Sequence, residues 1–187
     1  MVRSPLVAAT LVSLALFALP AEAQLVTNGG FETGSLLGWT LTGTSCSTGV
    51  LSTVAHTGTY GLRSGPVAGT CELAQTFATT PGEQYTFAFW VQNLSGSTPN
   101  SFDARWDGVS LYSTSNAPLL GYTEQSLVVT ATAPASTISF VVRHDAAWHT
   151  LDDVRVASVS TVPEPSTYAL MAAGLLGIMM ARRRRRA

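Results

Sequence analysis

The residues best suited to acid–base chemistry in this chain are not spaced as catalytic groups. His144 and His149 lie five positions apart, a spacing that matches no metal-binding or triad motif. Asp152 and Asp153 are adjacent, so in an extended strand their carboxylates point to opposite faces and do not form an acid–base pair. The sequence therefore predicts a protein that is not an enzyme. A polysaccharide-active hydrolase whose acidic site is hidden by the fold is the less favoured alternative.

Three residues have side chains that suit a sugar ligand, which proteins hold with aromatic rings and a few polar groups. Trp90 has the parity opposite to Phe89, so we expect it to project from the sheet face that points away from the core. Asp103 and Arg105 alternate with apolar neighbours and are expected to supply hydrogen bonds from a neighbouring strand. The interpretation that we favour is nevertheless that both faces of the Trp90 strand are buried and that Trp90 is a packing residue.

The elements that carry these residues are predicted to be β-strands. Apolar and polar residues alternate through much of residues 24–161, as in Tyr85–Val91 and Ile138–Val142. Turn signals such as Asp107-Gly108 separate the alternating segments. This pattern predicts an all-β fold, an antiparallel sandwich or barrel of about ten strands that begins near Leu25.

The charge of this region excludes one class of partner. Residues 24–161 contain four arginines and nine acidic residues, a net charge of −5, and the whole chain contains no lysine. An acidic domain without a basic patch gains no free energy from displacing the counterions of phosphates, so nucleic acid is not an expected partner.

The C-terminus has three parts in a fixed order: the short polar motif Val162–Thr167, the uncharged segment Tyr168–Ala181, and five arginines at Arg182–Arg186. An apolar helix with positive charges at one end predicts a transmembrane helix whose arginines face the cytoplasm. Fourteen residues reach only about 21 Å of a hydrocarbon core of about 30 Å. A span this short suits a segment that is held in the membrane briefly and then removed.

This arrangement in residues 162–187 closely resembles the PEP-CTERM sorting signal of exported proteins of Gram-negative bacteria. The resemblance rests on Pro163, Glu164 and Pro165, the apolar helix and the arginine cluster. It implies recognition by an exosortase and cleavage near the Pro-Glu-Pro sequence. It also implies an inner-membrane intermediate, followed by release to the cell surface or the extracellular matrix.

The N-terminus predicts a signal peptide over residues 1–23. Arg3 precedes the apolar segment Leu6–Leu19, and Ala21-Glu22-Ala23 fits a cleavage site that leaves Gln24 first in the mature chain.

Export places the two cysteines, Cys46 and Cys71, in an oxidising compartment. We therefore predict a disulfide between them, and two free thiols are the alternative.

Four segments, in their order along the chain, resemble the β-jelly-roll carbohydrate-binding modules of galactose-binding-like fold: Leu25–Glu32, His56–Arg63, Pro81–Trp90 and Leu151–Val156. The resemblance implies a jelly-roll sandwich over residues 24–161 that binds carbohydrate. It also implies a structural calcium ion near the first and last strands. Glu32 and Asp152 match its carboxylate ligands, and carbonyl groups near Gly30 and in the Thr57–Thr59 loop would complete the shell.

Together these features predict an exported, non-catalytic protein of the bacterial surface or a biofilm-like matrix that binds or organises extracellular polysaccharide. A purely structural surface protein without a small ligand is the alternative from a different class.

Overall fold

A computed structural model describes residues 24–159, 170–171, 173–178 and 182 of the 187-residue chain. The predicted signal peptide and the Pro163–Pro165 sequence lie outside these residues. The described residues after position 169 are helical and exposed. Among the helical residues that are described, no helix is both long and apolar enough to cross a membrane. The predicted span 168–181 lies partly outside the described residues and stays a prediction.

Residues 24–159 form ten strands and one 3₁₀ turn, Ser52–Val54. The strands are β1 Thr40–Gly43, β2 Thr48–Leu51, β3 Gly61–Ser64, β4 Cys71–Ala78, β5 Gln84–Asn93, β6 Asn100–Trp106, β7 Val109–Ser115, β8 Leu120–Thr130, β9 Ala135–His144 and β10 His149–Ser158. They build two antiparallel five-stranded sheets. The first sheet has the order β1-β4-β9-β6-β7 and the second has the order β2-β3-β10-β5-β8. The predicted all-β sandwich is confirmed.

The core lies between the two sheets and is built from the residues of one parity on each strand. Phe87 and Phe89 of β5 face Phe102 of β6 and Phe140 of β9, and all four rings are buried. Alternation produces this arrangement because successive side chains of a strand point to opposite faces. The residues of the opposite parity therefore form two outer faces, one on each sheet.

The segment before β1 is not a strand, contrary to the prediction that the strands begin near Leu25. Residues 24–30 instead lie along β10, where Leu25 N donates to Val156 O at 2.9 Å and Val154 N donates to Gly29 O at 3.0 Å. Phe31 and Trp39 then turn inward and close one edge of the core, with ring centroids 5.7 Å apart. Asn28 and Phe31 adopt positive φ angles, which break the extended conformation.

The predicted disulfide between Cys46 and Cys71 is confirmed. It joins the loop after β1 to the start of β4, and Gly43 pairs with Cys71 in the same region.

Candidate functional site

Trp90 lies on the outer face of the second sheet, as its parity predicted. Its neighbours across the sheet are Asp152 of β10 and Glu124 of β8. Phe89 and Val91, on either side of it in β5, point into the core. We call this outer face, defined by Trp90, Glu124, Asp152 and Arg155, the Trp90 face.

A crossing loop, residues 52–60, covers part of the Trp90 face. The His56 ring stacks on the Trp90 indole with centroids 3.9 Å apart and planes 17° apart. Tyr122 of β8 donates from its hydroxyl to Val54 O at 2.5 Å. Trp90 is therefore half-buried, and one role of its ring is to hold this loop against the sheet.

Two adjacent carboxylates tie the same loop to β10. Asp152, which is fully buried, accepts from His56 N at 2.7 Å and Thr57 N at 3.3 Å. Asp153 Oδ2 lies 2.7 Å from His56 Nδ1, and its Oδ1 accepts from the Thr57 hydroxyl at 2.6 Å. Burial raises the pKa of Asp152, because desolvation disfavours the charged carboxylate.

Glu32 holds the other end of the crossing loop. Its carboxylate accepts from Thr59 N and Tyr60 N, each at 3.0 Å. Gly58 has a φ of +65°, which strains a residue with a side chain, and a Cβ there would displace the Glu32 carboxylate.

The structure thus brings Glu32 and Asp152, the two predicted calcium ligands, to one short loop. A Cβ placed on Gly30 would lie 3.7 Å from Glu32 Cγ and 3.8 Å from Asp152 Oδ1, so Gly30 lies between them. Within the described part of the chain, no three His, Cys, Asp or Glu side chains are grouped to hold a metal ion. A cation here would therefore need carbonyl oxygens besides the two carboxylates, which is the hard-oxygen shell that Ca²⁺ prefers. A cation beside Asp152 would offset the cost of burying its carboxylate in the charged form.

Asp103 and Arg105 do not lie beside Trp90, which corrects the prediction that they occupy a neighbouring strand. The chain crosses from the second sheet to the first between β5 and β6, so the neighbours of β6 are β7 and β9. The alternation of apolar and polar residues correctly predicted that both side chains point away from the core. They point from the opposite side of the sandwich, however, and share no site with Trp90.

Asp103 and Arg105 form part of an ordered polar network on the first sheet. Arg105 Nε donates to Asp103 Oδ2 at 2.6 Å, and the Ser110 hydroxyl donates to Asp103 Oδ1 at 2.6 Å. Farther along this face the hydroxyls of Thr76 and Thr137 lie 2.7 Å apart.

We call this outer face, whose other outward residues include Glu72, Ala74, Ser101, Ser113, Ser139, Val141 and Arg143, the Asp103 face. Most of its side chains are exposed or half-buried. Ser139, in the central strand, is only 4% exposed. The face is thus a hydroxyl-rich surface that also carries an arginine–aspartate pair.

Sequence reasoning missed a buried histidine pair at the end of the sandwich that carries the disulfide. His144 and His149 are 0% and 3% exposed, with ring centroids 5.0 Å apart. His144 Nε2 donates to Asn93 Oδ1 at 2.9 Å, and burial lowers the pKa of His149 to about 4. The burial of His144 could have been predicted, because His144 shares the parity of the apolar residues Phe140 and Val142 on β9.

Comparison with known families agrees with both parts of the chain. Residues 23–119 match the carbohydrate binding domain family, and residues 161–186 match the PEP-CTERM protein-sorting motif. A search of curated proteins found no match.

Solved structures share the fold of this domain. An enzymatically active domain of tailspike protein 4 of bacteriophage CBA120 superposes with a TM-score of 0.59 at 16% identity, over 73% of this chain and 21% of that one. The chain thus spans about a fifth of that protein. TmCBM61, solved in complex with β-1,4-galactotriose, gives a TM-score of 0.57 at 20% identity, over 73% of this chain and 99% of that one. The CBM22-1 xylan-binding domain of Xyn10C from Paenibacillus barcinonensis gives 0.54 at 15% identity, over 78% and 100%.

At these identities the superpositions establish the sandwich fold alone. The family match covers 97 of 187 residues, which is more than half of the chain. The chain therefore belongs to the carbohydrate binding domain family, in an exported form that ends in a PEP-CTERM sorting motif.

Proposed function

We propose that this protein binds extracellular polysaccharide without cleaving it, and that the Asp103 face makes the contact. The observation that carries the proposal is the exposure of this face: its polar side chains bond among their own strands, and most remain accessible to solvent. An extended polymer needs such a long, open surface rather than a closed pocket.

The chemistry of the Asp103 face suits hydroxyl groups. The carboxylate of Asp103 accepts hydrogen bonds and the guanidinium of Arg105 donates them, and their ion pair fixes both groups. Serine and threonine hydroxyls on the neighbouring strands can each donate and accept hydrogen bonds. Ordered donors and acceptors lose little conformational entropy when a sugar chain replaces water, which favours binding.

We further propose a route of export that ends outside the inner membrane. Exosortase would cleave near Pro163, Glu164 and Pro165 while the helix over 168–181 sits in the inner membrane. The body of the protein would then reach the cell surface or a biofilm matrix, where polysaccharide is the abundant polymer. The sorting motif supports exosortase as the processing partner.

Calcium is proposed as a structural cofactor that stabilises the crossing loop. Glu32 and Asp152 would hold it together with carbonyl oxygens near Gly30 and in the Thr57–Thr59 loop. The support is the position of both carboxylates at one loop and the burial of Asp152, whose charge a cation would offset.

The binding proposal is tested by affinity electrophoresis of the exported protein in gels that contain soluble polysaccharides, including the exopolysaccharide of the producing cells. Arg105→Ala should weaken the retardation at least tenfold, because the variant loses the guanidinium and frees Asp103. Arg105→Lys should weaken it less, since it keeps the charge but not the planar fork. Ser126→Ala, an exposed position on the second sheet, is the matched control and should not change it.

Two results would contradict the proposal. Retardation by no polysaccharide would favour the purely structural alternative. Retardation that Arg105→Ala and Asp103→Asn both leave unchanged would remove the Asp103 face as the binding surface.

A further inference from the structure

An open cleft of about 470 Å³ lies on the Trp90 face, on the side of the sandwich opposite to Asp103. Its volume is within the usual range of small-ligand sites, about 300–1,000 Å³. We call it the Trp90 cleft, and its polar and aromatic lining residues are Gln24, His56, Thr57, Trp90, Asp153 and Arg155.

Aromatic rings form one wall of the Trp90 cleft. Trp90 and His56 stack on each other, yet both stay half-buried, so part of each ring reaches the cleft. An indole next to an imidazole offers an apolar surface with polar edges, which suits a sugar ring because its C–H groups lie on one side of its hydroxyls.

The charged groups of the cleft are already paired. Asp153 bonds to the His56 ring and to the Thr57 hydroxyl, and Arg155 bonds to Glu124. Asp153 and Glu124 outnumber Arg155 here, so the cleft does not favour an anion, and its bonded groups offer both donors and acceptors of hydrogen bonds. This pattern favours a neutral, hydroxyl-bearing ligand over a phosphate.

The backbone holds this arrangement in place. Asp153 has a φ of +48°, in the left-handed region that a non-glycine residue rarely adopts. The register of β10 against β5 shifts between Asp152 and Arg155, so a bulge there re-aims both Asp153 and Arg155. Bulges and left-handed residues of this kind cluster at functional sites. His56 Nδ1 is occupied by Asp153, and no described residue bonds its Nε2, which is left for a ligand.

We propose that the Trp90 cleft is a second carbohydrate site, which binds a short stretch of neutral polysaccharide, so that one domain bridges two polymer chains. This inference rests on the proposed function of the Asp103 face and extends it. Trp90 and Asp103 project from different sheets, and the sheets of a sandwich pack about 10 Å apart, with the core rings of Phe89 and Phe102 between them. A single extended chain lying on one face does not reach the other, so two occupied faces mean two chains.

Bridging explains how a small protein could organise a polysaccharide matrix. A protein with one site coats a polymer, whereas a protein with two sites on opposite faces cross-links it. Two weak sites are sufficient, because the second contact along a shared network forms at a high effective concentration.

The test compares the exported protein with Arg105→Ala, His56→Ala and the double variant. The probes are exopolysaccharide of the producing cells and short fragments prepared from it. Calorimetric titration with fragments should give two bound per protein for the natural chain, one for each single variant and none for the double variant. Light scattering with the intact polymer should show cross-linking by the natural chain and at least a tenfold loss for each single variant.

His56→Ala keeps the backbone amide that Asp152 accepts, and thermal unfolding monitors whether each variant is folded. Arg155→Ala is the second cleft variant if His56→Ala fails to fold, and it should also reduce the stoichiometry to one.

The outcomes separate this inference from the function it rests on. One fragment per natural chain, lost in Arg105→Ala and kept in His56→Ala, would overturn the second site and leave the Asp103 face intact. One fragment, lost only in His56→Ala, would overturn bridging and the Asp103 face together. No binding by any form would overturn both proposals.

Discussion

The two outer faces of this sandwich are built on strands of the same kind but are organised differently. On the Asp103 face, side chains bond to neighbours in their own sheet, as Arg105 does to Asp103. On the Trp90 face, the buried carboxylate of Asp152 bonds to the backbone of a loop that crosses the sheet, at His56 N. One face is therefore open and self-contained, and the other is closed in part by the chain itself.

The difference predicts that the two faces contribute unequally to the stability of the fold, although both are proposed to bind sugar. Exposed ion pairs and hydroxyls contribute little to the free energy of folding, so their sites are free to specialise for a ligand. Buried carboxylates that bond to backbone amides are costly to remove, so they define the structure of the loop that they hold. We expect the same substitution to have very different effects on the two faces.

The largest expected effect is the loss of Asp152. Asp152→Ala should lower the free energy of unfolding by about 3–4 kcal/mol, because the amides of His56, Thr57 and Asp153 lose a charged acceptor. Urea-induced unfolding of the exported protein measures it. The matched change on the other face, Asp103→Ala, should cost less than about 1 kcal/mol. Equal costs would erase the distinction between the faces.

A second prediction concerns pH and separates the buried histidines from Asp152. Burial lowers the pKa of His149 from 6.5 to about 4, so the unfolded chain binds its proton more readily than the folded one. The stability that His149 contributes is complete above pH 6.5 and is lost as the pH falls from 6.5 to 4. The shift corresponds to about 3 kcal/mol.

Asp152 acts in the opposite direction. Its raised pKa means that the folded chain binds that proton more readily, so its contribution to stability increases as the pH falls. Urea unfolding between pH 7 and pH 4.5 should show a net loss of stability, and His149→Gln should flatten the slope. A natural chain that becomes more stable over this range would show that Asp152, and not His149, dominates.

Calcium should stabilise the Trp90 face alone. At a concentration one hundred times its dissociation constant, a bound ion raises the free energy of unfolding by about 2.7 kcal/mol. Chelation should remove this gain, and amide hydrogen exchange should quicken in the crossing loop but not on β6. Glu32→Gln should weaken the response. Equal stability with calcium and with chelator would remove calcium from the account.

The smallest expected effect is at two exposed ion pairs, one chosen from each face. Arg105 pairs with Asp103 and Arg155 pairs with Glu124, and the arginine side chains are 35% and 45% exposed. Replacing either arginine by alanine should change the free energy of unfolding by about 0.5 kcal/mol. Thermal unfolding of both variants tests this. A loss above about 2 kcal/mol from Arg105→Ala would mean that the Asp103 face is structural.

Alternation in the sequence predicted the strands and the direction of each side chain, since a strand's parity is a local property. It placed Phe89 and Phe140 inside and Trp90 and Arg105 outside, as the structure has them. The convergence of Glu32 and Asp152 on one loop came from the resemblance to carbohydrate-binding modules, because no local pattern links residues 120 positions apart.

Strand order could not be read in the same way. Consecutive strands often pair, which suggested β6 as the neighbour of β5, but the chain between Asn93 and Asn100 crosses to the other sheet. The stacking of His56 on Trp90 was equally hidden, since it joins a loop to a strand 34 residues away. His144 lies in the interior, on the parity of β9 that also carries Phe140 and Val142.

The central claim is that the Asp103 face binds polysaccharide. The most direct measurement is the change in backbone amide chemical shifts when isotope-labelled exported protein is titrated with exopolysaccharide fragments from the producing cells. We expect shifts along β4, β9 and β6 that centre on Ser139 and Arg105. Saturable binding that leaves the amides of these three strands unchanged would contradict it.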